Sequence, residues 1–167
     1  MVARHIGDTI AALQQLDSEQ LGPLLQEVRR SAAICLLGNG GSFATAQHWA
    51  IDLQRAGKFA WAIGSNGAAL TAYSNDDDYS DAAALELRLY GKPRDLLICL
   101  SCSGISGNIV SAIKMAKELG MRSVLLTSTI HQEIAPADTI VRVWSKDYGV
   151  IEDCHLAIGH WLAQELQ

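Results

Sequence analysis

L-L-G-N-G-G-S-F-A-T-A-Q-H-W-A-I-D-L, Leu36 to Leu53, is the stretch on which the fold turns. An apolar run without polar alternation ends at Gly38-Asn39-Gly40-Gly41-Ser42, and the chain then restarts with helical spacing. A strand that lacks alternation is covered on both faces, as in a parallel sheet with helices on either side. The glycines leave room for backbone N–H groups to approach a ligand. That ligand is not a nucleotide. The dinucleotide fingerprint needs glycine at position 43, where Phe43 stands, and no Gly-Lys-Ser/Thr follows to make a phosphate loop of the Walker type. The hydroxyls or carbonyl of a sugar fit the loop better, and no nucleotide cofactor is expected.

With the first run, Ala32 to Leu37, four further apolar runs are of strand length, and several of the five lack alternation: Phe59 to Ile63, Leu96 to Leu100, Ser123 to Thr127 and Ile140 to Trp144. Between them, Phe43 to Arg55, Tyr79 to Leu89 and Ser106 to Leu119 have helical periodicity. The alternation predicts an α/β domain, doubly wound around a five-stranded parallel sheet of flavodoxin-like order. Two amphipathic helices precede it within residues 1–31, the second capped by Asp17 or Ser18, and a last helix runs from Val150 to Leu166. No repeat, low-complexity tract or linker divides residues 1–167, so a single domain is expected.

The second conspicuous strand end is Ser101-Cys102-Ser103-Gly104-Ile105-Ser106-Gly107-Asn108. Serine hydroxyls donate hydrogen bonds, and a helix starting near Ser106 adds free N–H groups and a positive dipole end, which suits a phosphate without any lysine or arginine. The plainer alternative is that Ser103 or Ser106 only caps that helix. In flavodoxin-like order the first and third strands meet at the ligand crevice, so both loops would face one another there.

Composition narrows the setting. Of 167 residues, 49% are hydrophobic and 19% charged, so part of the surface is expected to pack against other subunits. A net charge of -5 offers no general attraction to nucleic acid or to an anionic membrane. Neither a membrane span nor an apolar leader is evident, and a cytoplasmic protein is expected. Cys99 and Cys102 have C-x-x-C spacing, but Cys99 lies inside an apolar run and no second such pair completes a zinc site, so redox or structural-zinc roles are not expected. Asn75-Asp76-Asp77-Asp78 lacks the spacing of a calcium loop and reads as a cap for the helix from Tyr79.

G-N-G-G-S with A-Q-H-W-A-I-D-L, S-N-D at 74 to 76, S-C-S-G-I-S-G-N-I at 101 to 109 and I-E-D-C-H-L-A-I-G-H near the C-terminus together resemble the sugar isomerase (SIS) domain, in its phosphoheptose isomerase branch. The resemblance covers nearly the whole chain. It implies interconversion of sedoheptulose 7-phosphate and D-glycero-D-manno-heptose 7-phosphate, a step toward the heptose of lipopolysaccharide, in a homotetramer with sites at subunit interfaces. It places Asn39, Gly40, Gly41 and Ser42 beside the sugar, Asn75 and Asp76 on its hydroxyls, and Ser101, Cys102, Ser103 and Ser106 around the phosphate.

The resemblance also implies Asp52 as the proton-moving carboxylate and His160 as its acid–base partner, since isomerisation through an enediol needs such a pair. The family has glutamate where Asp52 stands, glutamine where Glu152 stands and arginine where Ala56 stands. A carboxylate drawn back by one methylene is a misplacement on the scale that costs about 100-fold in rate. Zinc, one ion per site, is implied for some relatives on the equivalents of His48, Asp52, Glu152 and His160. His48 and Asp52 share a helix face, whereas Glu152 and His160 are about 12 Å apart along a straight helix and would meet one ion only through an irregular helix start or from different subunits. The departures keep open a non-catalytic SIS tetramer that binds a phosphosugar or a protein, of the kind that associates with a replication initiator, as well as an isomerase of another phosphosugar.

Overall fold

The computed structural model describes residues 2–167; Met1, the first residue of the expected helical extension, lies outside the described residues. The chain forms α1 (Val2–Leu13), α2 (Ser18–Arg30), β1 (Ile34–Gly38), α3 (Gly41–Arg55), β2 (Ala60–Ala62), α4 (Gly67–Asp76), α5 (Tyr79–Tyr90), β3 (Leu96–Leu100), α6 (Gly107–Glu118), β4 (Arg122–Ser128), β5 (Thr139–Val143) and α7 (Tyr148–Gln164). All strand pairs are parallel, in the order β2-β1-β3-β4-β5. This is the expected doubly wound sheet, with its strand-order reversal between β1 and β3.

Every residue of β1 and β3 is buried, which is why neither run alternates in sequence. On one face Ile34, Leu36, Leu96, Ile98 and Leu100 pack with Leu24 and Val28 of α2, Trp49 and Leu53 of α3, and Ile158 and Leu162 of α7. On the other, Cys35, Leu37, Leu97, Cys99 and Leu125 meet α5 and α6 through Ala83, Leu87, Ile109, Ala112 and Ile113. Each large side chain so buried contributes roughly 1.5–3 kcal/mol. α1 covers a third cluster, where Ala12 joins Val150, Ile151 and Cys154 of α7 and Cys102 of the serine loop.

Local chemistry sets the boundaries. The Asp17 carboxylate accepts from the Gln20 N–H at 3.0 Å, and Asp78 accepts from the Ser80 N–H at 2.7 Å to start α5, as its place in N-D-D-D anticipates. α4 has no counterpart in the sequence reading: none of its residues is buried, so it lacks the apolar stripe that marks a helix, and Asn66 starts it by accepting from the Ala69 N–H. No helix is long and apolar enough to cross a membrane among the described residues.

Candidate functional site

The two chemistry-bearing loops meet beyond the ends of β1 and β3. Asn39, Ser42, Ser101, Cys102, Ser103, Ser106, Tyr148 and Glu152 line one cleft. α3 and α7 flank it, and they run side by side in the same direction: Ser42 meets Glu152 near their starts, the Trp49 indole N–H donates to the His155 carbonyl at 3.1 Å midway, and His48 and Asp52 meet His160 further on.

In the serine loop, Ser101 Oγ accepts from the Gly104 N–H at 3.1 Å and Ser103 Oγ from the Ile105 N–H at 3.4 Å. Each oxygen is used as an acceptor within the loop, which leaves its O–H available as a donor. Ser106 occupies the N-cap position of α6 but makes no side-chain capping bond, so the capping alternative does not account for its hydroxyl. Gly104 holds φ 71, and a Cβ there would sit 2.8 Å from Thr127 Oγ1; the loop closes only on glycine. Cys102 is buried beneath it, and burial together with the charge of Glu152 pushes its thiol up to about 11. Cys99 is fully buried, and burial pushes its thiol up as well.

At the glycine loop, a Cβ on Gly41 would lie 2.6 Å from both carboxylate oxygens of Glu152, so glycine is what allows that carboxylate against the loop. Ser42 Oγ donates to Glu152 Oε1 at 3.4 Å. The Asn39 side chain is held by two residues that the sequence reading passes over. Asn108 exchanges a pair of amide bonds with it at 2.7 and 3.0 Å, and the Tyr79 hydroxyl donates to its Oδ1 at 2.8 Å. Their position in the first turn after a capping or loop motif was the available signal. Behind Asn39 a smaller apolar pocket contains Glu86, whose carboxylate accepts from the Gly64 N–H at 3.0 Å and is raised above the ordinary carboxylate range by burial.

His48, Asp52 and His160 form a separate group. Asp52 Oδ2 lies 3.3 Å from His48 Nε2 and 3.7 Å from His160 Nε2, and the two imidazole nitrogens are 3.2 Å apart. Ligands on a tetrahedral zinc with bonds near 2.05 Å are separated by about 3.3 Å, so this His/Asp/His set fits a three-ligand zinc site with an open fourth position. Glu152 is not part of the group. α7 is an uninterrupted helix between Glu152 and His160, so within one chain the fourth expected ligand faces the serine cleft instead.

The other expected residues are placed as follows. Asn75 and Asp76 are exposed at the end of α4, where the Asn75 amide donates to Asp76 at 3.0 Å. Arg55 is exposed, and Lys58 Nζ donates to the Arg29 carbonyl at 2.9 Å, away from the cleft. His5, for which the sequence offers no partner, meets Asp153 at 2.7 Å. His155, three residues from Glu152 on α7, is turned into the core by the helix and is 1% exposed; burial lowers its imidazole to about 4.

Residues 22–128 match the SIS domain family model. A phosphoheptose isomerase of Maridesulfovibrio salexigens is 35% identical over 157 residues, covering 85% of this chain and 77% of that protein. One of Rhodospirillum rubrum is 33% identical, covering 95% and 86%. Among solved structures, the phosphoheptose isomerase of Neisseria gonorrhoeae superposes with a TM-score of 0.90 at 27% identity, over 99% of this chain and 96% of that one.

Proposed function

The chain belongs to the SIS domain family, and from that premise we propose that it is a phosphosugar aldose–ketose isomerase acting on sedoheptulose 7-phosphate to give D-glycero-D-manno-heptose 7-phosphate. The observation that carries this reading is the convergence of the serine loop and the glycine loop on one cleft whose lining includes no lysine or arginine. Outward-pointing hydroxyls and the start of α6 recognise a phosphate without a cation. The Asn39 side chain is locked by Asn108 and Tyr79, which occupy both lone pairs of its Oδ1 and one amide hydrogen, and it has one fixed N–H left for the sugar. Relatives described as phosphoheptose isomerases, 33 to 35% identical over most of the chain, support the same substrate class.

Isomerisation requires removing a proton from the carbon beside the carbonyl and returning it to the neighbouring carbon. The expected pair for this work, Asp52 and His160, is adjacent in the structure. Gly41 and Asp52 are eleven residues apart on α3, about 16 Å along the helix. Asp52 and His160 therefore serve the cleft of a neighbouring subunit, in keeping with a homotetramer whose sites lie at subunit contacts. His48, Asp52 and His160 would hold a zinc ion, which when bound supplies Lewis-acid polarisation of a sugar oxygen. The test is turnover: purified protein incubated with sedoheptulose 7-phosphate is expected to yield the aldose, and the absence of product from heptose, hexose and pentose phosphates, with and without added zinc, would refute the reading. A non-catalytic phosphosugar-binding tetramer is what binding without turnover would then indicate.

A further inference from the structure

We infer that Glu86 is a positioning residue: from α5 its carboxylate fixes the start of α4, and so sets where Asn75 and Asp76 stand for the sugar. The inference rests on the isomerase reading above, with those two residues on the sugar's hydroxyls. Glu86 is 7% exposed and shares α5 with Ala82, Ala83 and Leu87, all buried. An apolar side chain would be buried there without losing hydration, whereas a carboxylate gives up its water and needs a partner in return. Its partner is the Gly64 N–H, which donates to Oε2 at 3.0 Å.

Gly64 is where the chain leaves the sheet. The Ile63 N–H still donates to the Leu36 carbonyl at 2.8 Å, beside the β2–β1 pairing, and the next residue turns away with φ 88. Three residues on, α4 begins. The core does not hold this helix. None of its residues is buried, and its Leu70 borders an apolar pocket of about 90 Å³, shared with Phe43, Ile63 and Ala82, instead of close-packed side chains. A segment with so few buried contacts opens locally at little cost. Gln47 also ties the connection, but through an exposed bond to Ser65 Oγ at 3.4 Å. The shorter bond comes from a buried group on a core helix, and it decides where α4 starts. At its other end α4 passes through Asp77 to Asp78, which caps α5. α4 is thus clamped to α5 twice, at Asp78 and at Glu86 about two turns along. Asn75 and Asp76 lie in its last turn, just ahead of the Tyr79 that bonds Asn39 of the sugar loop.

Two substitutions separate the acceptor from the bulk of the side chain. Glu86→Gln keeps an oxygen for the Gly64 N–H, and Glu86→Met keeps the volume and loses the oxygen. Hydrogen exchange read by mass spectrometry is expected to be at least about tenfold faster at residues 64–76 in Glu86→Met, with β1 and β3 unchanged and Glu86→Gln close to wild type. With sedoheptulose 7-phosphate, KM of Glu86→Met is expected to rise about tenfold with kcat little changed, since binding contacts are displaced, and Glu86→Gln is expected to restore it. Should Glu86→Met fail to fold, Glu86→Ala, which demands no room, is read in the same way. Unchanged exchange at 64–76 in the folded apolar variant, faster exchange with unchanged KM, or equal losses in Glu86→Gln and Glu86→Met each overturn the inference. Wild-type protein that turns over none of the heptose, hexose and pentose phosphates refutes the isomerase reading, and the exchange comparison then still decides whether Glu86 places α4.

Discussion

Acidification should unfold this protein partly through one residue, His155. The imidazole is fully buried on α7, and the Thr127 backbone beside it offsets only part of the cost of burying its charged form. Burial lowers it from 6.5 to about 4. Between those values the unfolded chain binds a proton that the folded chain does not, so stability rises with pH across the window and falls as pH drops from 6.5 toward 4. At 1.36 kcal/mol per pH unit, the loss attributable to His155 is about 3 kcal/mol and is complete near pH 4. For a domain of this size that corresponds to roughly 6–12 °C in Tm. Glu86 opposes part of this trend, because its raised carboxyl favours the folded state as pH falls, so the contribution must be read as a difference. Thermal and urea unfolding of wild type and His155→Leu, measured in steps from pH 7.5 to 4, supply that difference. The stability of wild type relative to the variant is expected to decline by about 3 kcal/mol over the window. A difference that stays constant across pH refutes the burial argument, as does an NMR titration showing His155 protonated in the folded protein at pH 6.

Gly41→Ala is expected to push the Glu152 carboxylate off the sugar loop, because the new methyl would lie 2.6 Å from its oxygens; kcat/KM should fall at least about 100-fold, checked by steady-state kinetics alongside a melting curve. Gly159→Ala places a methyl inside the buried Trp49 indole, and overpacking of this kind costs about 1–3 kcal/mol, read as a lowered urea midpoint with unchanged m-value. Equilibrium dialysis is expected to find one zinc per chain, and His48→Ala or His160→Ala should weaken binding by more than about tenfold, since outer-shell changes alone cost that much. Glu152→Ala should leave one zinc per chain, because His48, Asp52 and His160 supply three ligands within the chain.

Several parts of this protein were legible as letters because a short-range rule governs them. β1 and β3 showed as unalternating apolar runs since both of their faces are covered, and Asp17 and Asp78 announced the starts of α2 and α5 through their capping bonds. α4 did not show, since a helix with no buried residue carries no apolar period. Tyr79 and Asn108 escaped for a different reason: what makes each matter is contact with Asn39, 40 and 69 positions away in the chain.

The sequence by itself determined the layered fold and the two strand-end loops, at Gly38 to Ser42 and Ser101 to Ser106, that line one cleft. Spacing, glycine placement and burial pattern act over a few residues, and each can be read where it stands. Which carboxylate lies against which loop was decided only in three dimensions. α3 and α7 lie parallel, so the axial distance along each helix separates Glu152 at the sugar loop from Asp52 among its histidines. The same packing buries His155, three residues from Glu152 on α7, as a neutral imidazole. A helical sequence names the residues on each face, but the neighbour that each face meets is set by the packing of the whole domain.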